Sequence, residues 1–103
     1  MVHYAATTPG TVIEALADPA RRQIVTLLSG GPLRAGELAA ATGMSAPAIS
    51  RHLRALLAAS VVADERLDTD ARARVFRLRQ QSIAAARDWL DEVLTGPAAL
   101  RQP

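Results

Sequence analysis

The 103-residue sequence predicts a mainly α fold carrying one β-hairpin, and three observations predict it. Apolar residues recur at helical spacing from about residue 11 to residue 59. After Ser60 the spacing changes to alternation, in two short runs separated by the turn-rich Asp68-Thr69-Asp70. A last helical stripe begins near Ser82, which gives the order α-α-α-α-β-β-α.

Each element has its own signal. Residues 1–10 have no hydrophobic period and end in Pro9-Gly10, so they are expected to form a tail. Thr11-Val12-Ile13-Glu14 has the form of a capping box and should open the first helix, with Ile13, Leu16 and Ala17 as its stripe. Asp18-Pro19 places an N-cap before a proline and opens a second helix to about Ser29, burying Ala20, Ile24, Leu27 and Leu28. Gly30-Gly31-Pro32 should stop it through a left-handed cap. A short third helix is expected over residues 35–42, a turn at Gly43 with Met44 plugging the core, and a fourth helix over residues 46–59 capped by Ser45. Two short helices joined by a glycine-containing turn form a helix-turn-helix, and the hairpin after it is a wing. In the hairpin, Val61, Ala63 and Leu67 should point inward from one strand and Phe76 and Leu78 from the other. Residues 11–95 then form one winged helix-turn-helix domain, followed by a tail over residues 96–103.

Composition narrows the function. Half of the residues are hydrophobic and none is cysteine, so a core forms without disulfides, and thiolate sites are impossible. No basic, apolar leader and no stretch of about 18 apolar residues is present, so a cytoplasmic protein without a membrane span is expected. All twelve basic residues are arginines. Seven of them stand between Ser45 and Gln80 against four acids, a net of +3, while the remainder of the chain is at −1. Basic charge gathered in one segment suits a phosphate-binding surface.

On a helical wheel of the fourth helix, Ala46, Ile49, Leu53, Leu56 and Leu57 fall on the core side. Arg51 lies opposite, flanked by Pro47, Ala48, Arg54 and Ala55. Small residues with two guanidiniums can enter the major groove of double-stranded DNA. There an arginine binds guanine O6 and N7 together, and Ser45 and Ser50 can hold phosphates. Arg66, Arg72 and Arg74 of the wing would reach the backbone or minor groove. Arg77 and Arg79 solvate the outer strand face, and His52 is expected to be partly buried and bonded to a nearby backbone group.

Ala15-Leu16-Ala17-Asp18-Pro19-Ala20-Arg21-Arg22, Gly36-Glu37-Leu38-Ala39 and Ser45-Ala46-Pro47-Ala48-Ile49-Ser50-Arg51-His52-Leu53-Arg54-Ala55-Leu56 closely resemble the ArsR/SmtB family of bacterial winged-helix regulators. The resemblance spans about residues 11–80. It implies a homodimer joined through the first and last helices on an inverted repeat in DNA, and repression relieved by an effector. Ile13 and Leu16 with Ile83, Ala86, Trp89, Leu90, Val93 and Leu94 make an apolar surface larger than one small domain needs, which suits such a dimer interface. The sequence departs from the family at its metal sites. Ala39 and Ala41 stand where the thiolate sensor has cysteines, and Leu90 stands where the other site has a histidine beside an acid, here Asp88. Asp88, Asp91 and Glu92 alone suit transition metals poorly. The wing tip also lacks the usual glycine.

No resident metal or cofactor is expected. One chelating arrangement remains, His3 near a free amino terminus, which would hold Cu(II) or Ni(II) in square-planar geometry; the alternative is a tail residue without that role. Two other readings stay open: a sensor of nickel, copper or zinc with a non-standard site, and a module that binds a partner regulator instead of DNA. An enzyme is not expected, because two histidines without cysteine or a phosphate-cradling glycine loop give no nucleophile, base and orienting group.

Overall fold

A computed structural model describes residues 8–67 and 74–97. The elements are α1 (Pro9–Ala15), α2 (Pro19–Leu28), α3 (Ala35–Thr42), α4 (Ala46–Ala58), β1 (Val62–Arg66), β2 (Arg74–Leu78) and α5 (Gln80–Thr95). Arg72, His3 and the Asp68-Thr69-Asp70 turn lie outside the described residues.

The first helix starts earlier than its sequence suggests. Thr8, not Thr11, is the N-cap: its side chain accepts the Thr11 N–H at 3.2 Å, and Pro9 occupies the first turn, where a missing N–H costs nothing. Two threonines three residues apart offer competing caps, and the proline decides between them. The buried face is accordingly Val12 and Ala15, with Leu16 half-buried, Ile13 at 37% exposure and Ala17 exposed. Arg22 donates to the carbonyls of Leu16 and Ala17 at 2.7 and 3.1 Å, closing the end of α1. Asp18 caps α2 as expected, accepting the Ala20 N–H at 2.7 Å. Helix α2 stops at the expected Gly30-Gly31-Pro32 segment: the C-cap Ser29 is right-handed, and the positive φ, 133°, falls at Gly31.

Gly43 closes α3 in the left-handed conformation, φ 75°, and Ser45 caps α4 through the Ala48 N–H at 3.2 Å. Ile49, His52, Leu53 and Leu56 of α4 are buried, whereas Ala46, expected on that side, is exposed in the first turn. The core joins these residues to Val12, Ile24, Leu28, Leu38, Val61, Val62, Phe76 and Ala86.

The hairpin pairs Val62 with Leu78, Asp64 with Phe76 and Arg66 with Arg74. Its inward set is therefore Val62, Phe76 and Leu78. Ala63 is only half-buried and Leu67 is 59% exposed, so β1 is shifted by one residue from the expected alternation, and each side chain changes face. Val61 is buried too, but it belongs to the turn before the strand. Leu33 adds an unanticipated bridge to Phe76, with N–H to O distances of 3.0 and 2.8 Å. The buried Ser82 of α5 donates to the Ser60 carbonyl at 2.6 Å, tying the last helix to the end of α4.

Ser60 has φ 60°, a conformation that costs an L-residue about 1–2 kcal/mol and glycine little. Ser60→Gly is expected to stabilise the fold by about 0.5–1 kcal/mol after the extra chain entropy of glycine is counted, raising the melting temperature by a few degrees. A lower melting temperature would contradict it. The Asp18 carboxyl is held below its ordinary value of 3.8, first by the Ala20 N–H and then by the Arg21 N–H and the His52 and Arg21 side chains, against an opposing cost of desolvation. A lowered folded value stabilises at pH above the unfolded value and is lost as pH falls through the folded one. Asp18→Asn, which keeps a capping oxygen but does not titrate there, should flatten the loss of stability below about pH 4 in acid denaturation.

Candidate nucleic-acid interface

Burial of one side of α4 decides what its other side offers. Ser45, Pro47, Ser50, Arg51 and Arg54 are exposed and Ala48 is half-buried, so the residues expected to meet DNA share the outer face and N-terminal turn of one helix. Pro47 stands in the first turn, where it needs no donor. Arg51 makes no side-chain bond among the described residues and is available to a ligand. Arg54 donates to the Ser50 hydroxyl at 3.3 Å, one turn away, which inclines its guanidinium along the helix.

The wing arginines differ from one another. Arg66 is exposed and stands directly opposite Arg74 in the register, a like-charge pair that is unfavourable by itself. Asp64 relieves it: Arg74 Nε and Nη2 lie 2.8 and 2.7 Å from Asp64 Oδ2, across a diagonal of the hairpin. The Arg74 guanidinium also lies 4.7 Å from the Phe76 ring centre, a cation–π arrangement. Arg74 is thus held by protein, while Arg66 is not. Arg77 pairs with Glu65 at 2.8 Å, so the outer strand face is an ion pair and not bare charge.

His52 is buried at 8% exposure, and its partner is a side chain, not the backbone expected: Nδ1 accepts from Arg21 Nε at 3.4 Å. Arg21 also reaches the Ala15 carbonyl at 3.4 Å. Helix α4 is therefore linked through His52 to the α1–α2 junction, a bond across thirty-one positions that helical periodicity could not reveal.

The apolar stripe of the last helix divides. Ile83 and Ala86 pack against the domain's own core, and α5 lies along α1. Beyond them Trp89, Leu90, Val93 and Leu94 are exposed, Leu94 at 83%. At the family's sensor positions, Ala39, Ala41 and Leu90 carry no ligand atoms, so those metal sites do not fit this chain. Among the described residues no cluster of three or more histidine, cysteine or acidic side chains could hold a metal ion. No described helix is long and apolar enough to cross a membrane.

Asp64 was not anticipated, because its role depends on hairpin register. Asp64→Asn should release Arg74 to phosphate, tighten binding to random DNA at low salt, and steepen the logarithmic salt dependence by about one unit. A salt titration with an unchanged slope would show that Arg74 does not face phosphate.

Residues 18–64 match the family described as "Bacterial regulatory protein, arsR family". The chain is 42% identical over 97 residues to the HTH-type transcriptional regulator Rv2034 of Mycobacterium tuberculosis, covering 90% of this chain and 88% of that one. It is 46% identical over 55 residues to the transcriptional repressor SdpR of Bacillus subtilis, covering 53% of this chain and 61% of that one. A crystal structure described as a possible transcriptional regulator for arsenical resistance superposes with TM-score 0.71 at 36% identity, over 82% of this chain and 85% of that one. With the five helices, the hairpin and the exposed face of α4, these likenesses establish that the chain belongs to the ArsR family of winged helix-turn-helix regulators and is a DNA-binding transcriptional regulator, not an enzyme.

Proposed function

We propose that the protein is a cytoplasmic repressor that binds an inverted repeat in double-stranded DNA as a homodimer. The observation that carries this reading is the pairing of two exposed surfaces on one small domain: the arginine-bearing face of α4 and the apolar end of α5. In this reading Arg51 reads a base edge, Ser45, Ser50 and Arg54 set the helix against phosphates, Pro47 and Ala48 allow close approach, and Arg66, Arg72 and Arg74 grip the flanking backbone.

Exposed apolar surface supports the dimer. Trp89, Leu90, Val93 and Leu94 are exposed at helical spacing, and Ile13 of α1 adds to them. An isolated domain would leave this patch in water, whereas a two-fold pair buries it and presents two α4 helices about 34 Å apart, one turn of DNA. Ile83, Ala86 and Leu16 support the surface from beneath. Repression is the direction suggested by the named role of SdpR, a relative 46% identical over 55 residues.

Arg51→Ala is expected to weaken binding to the operator by about 1–3 kcal/mol while leaving random DNA nearly unchanged, and Arg72→Ala should weaken both alike. Equal loss on both DNAs for Arg51→Ala would remove its base-reading role. Leu94→Glu, an exposed substitution harmless to a monomer fold, should shift the protein to monomer in sedimentation; an unchanged sedimentation coefficient would move the dimer interface elsewhere.

A further inference from the structure

The molecule has a groove of about 730 Å³ that the DNA reading does not explain. It lies between the start of α3, the middle of α4 and β2, and its volume falls within the roughly 300–1,000 Å³ of small-molecule sites. Leu53 and Phe76, both nearly buried, floor it, and the half-buried Leu57 forms a wall. Arg34, Arg54 and Arg74 stand around the opening. A phosphate backbone would use the charges and have no use for an apolar floor of leucine and phenylalanine.

The rim carries three arginines, of which Arg74 is already paired with Asp64 at 2.7 Å. Among the described residues the one acid lining the groove is Glu37, and its Oε1 already accepts the Arg34 N–H at 2.8 Å, closing the first turn of α3. The Arg34 side chain makes no hydrogen bond or ion pair to another side chain among the described residues, and it stands exposed at the N-cap of α3, so its guanidinium is open to an anion. Arg54 is held by Ser50, and Arg74 lies over the Phe76 ring with Asp64 as its ion-pair partner, so two further guanidiniums are positioned beside apolar surface before any ligand arrives, and Arg34 and Arg54 are the two without an acidic partner among the described residues.

We propose that this groove binds a small organic anion with an apolar body, its carboxylate or sulfonate among Arg34, Arg54 and Arg74 and its ring or chain against Leu53, Leu57 and Phe76. Ser50, Arg54 and Arg74 belong to both surfaces, so an occupied groove excludes DNA, and the ligand relieves repression by direct competition. That second step rests on the DNA reading given above; the binding step does not.

The two are tested separately. Full-length protein is titrated with 2-naphthoate, naphthalene-2-sulfonate and decanoate, and with neutral 2-naphthamide, while backbone amide signals are followed by NMR. Saturable shifts gathered at residues 35–37, 50–57 and 74–76 are expected, with the amide at least tenfold weaker than 2-naphthoate. Arg34→Glu, an exposed change that leaves the fold's amide spectrum intact, should weaken the anions tenfold or more. No saturable shift with any of the three anions, shifts centred on Trp89 and Leu94, equal binding of the amide, or indifference to Arg34→Glu would each overturn the proposal. The anion that binds is then added to a complex with the DNA upstream of the protein's own coding region. Release at concentrations near its dissociation constant is expected, and a complex that persists with the groove saturated overturns the competition. Failure of the ligand-free protein to bind that DNA would count against the repressor reading and leave the groove standing.

Discussion

Burial of one side of α4 is the constraint on which the rest of the structure depends. Ile49, Leu53 and Leu56 enter the core that α2, α3 and the hairpin share, and His52 is buried beside them against Arg21. A helix fixed at three apolar positions cannot rotate without opening voids, and cavities left by leucine-sized groups cost about 2–5 kcal/mol each. Its outer face is therefore presented in one orientation. Base recognition needs that rigidity, since a bidentate arginine pairing tolerates little angular error.

The arginines divide the labour according to what surrounds them. Arg21 and Arg22 close the junction of α1 and α2 by bonding carbonyls there. Arg74 and Arg77 are held by acids across the hairpin. Arg51 and Arg66 have no such partners among the described residues. Exposed ion pairs contribute little stability, so Asp64 and Glu65 serve better to relieve repulsion between wing arginines than to hold the hairpin together. The same pairing moderates how strongly the wing attracts any polyanion.

Much of this was legible in the sequence. Asp18-Pro19 and Ser45 before Pro47 are unambiguous helix starts, and the spacing of Ile49, Leu53 and Leu56 gave the buried side of α4 directly. What could not be read depended on competition or register. Two threonines competed for one cap, and Pro9 gave the position to Thr8. Two valines in succession concealed which strand face was inward, because Val61 is buried by the turn and Val62 by the sheet. Helical periodicity is enough to gather the α4 residues proposed to touch DNA, whereas Asp64, the His52–Arg21 bond and the groove beneath Arg34 need three dimensions. The exposed end of α5 was visible as an apolar excess, but only the fold separates Ile83 and Ala86, spent on the domain's own core, from Trp89 through Leu94.

If the outer face of α4 reads bases in a major groove, bound protein shields guanine N7 from methylation. The DNA upstream of the protein's coding region would be treated with dimethyl sulfate in the presence and absence of protein. Protected guanines are expected in two clusters about one helical turn apart, with protection lost in Arg51→Ala although the DNA is still bound. Protection of the backbone from hydroxyl radicals with every guanine N7 left reactive would contradict it, and would reduce α4 to a phosphate-binding surface.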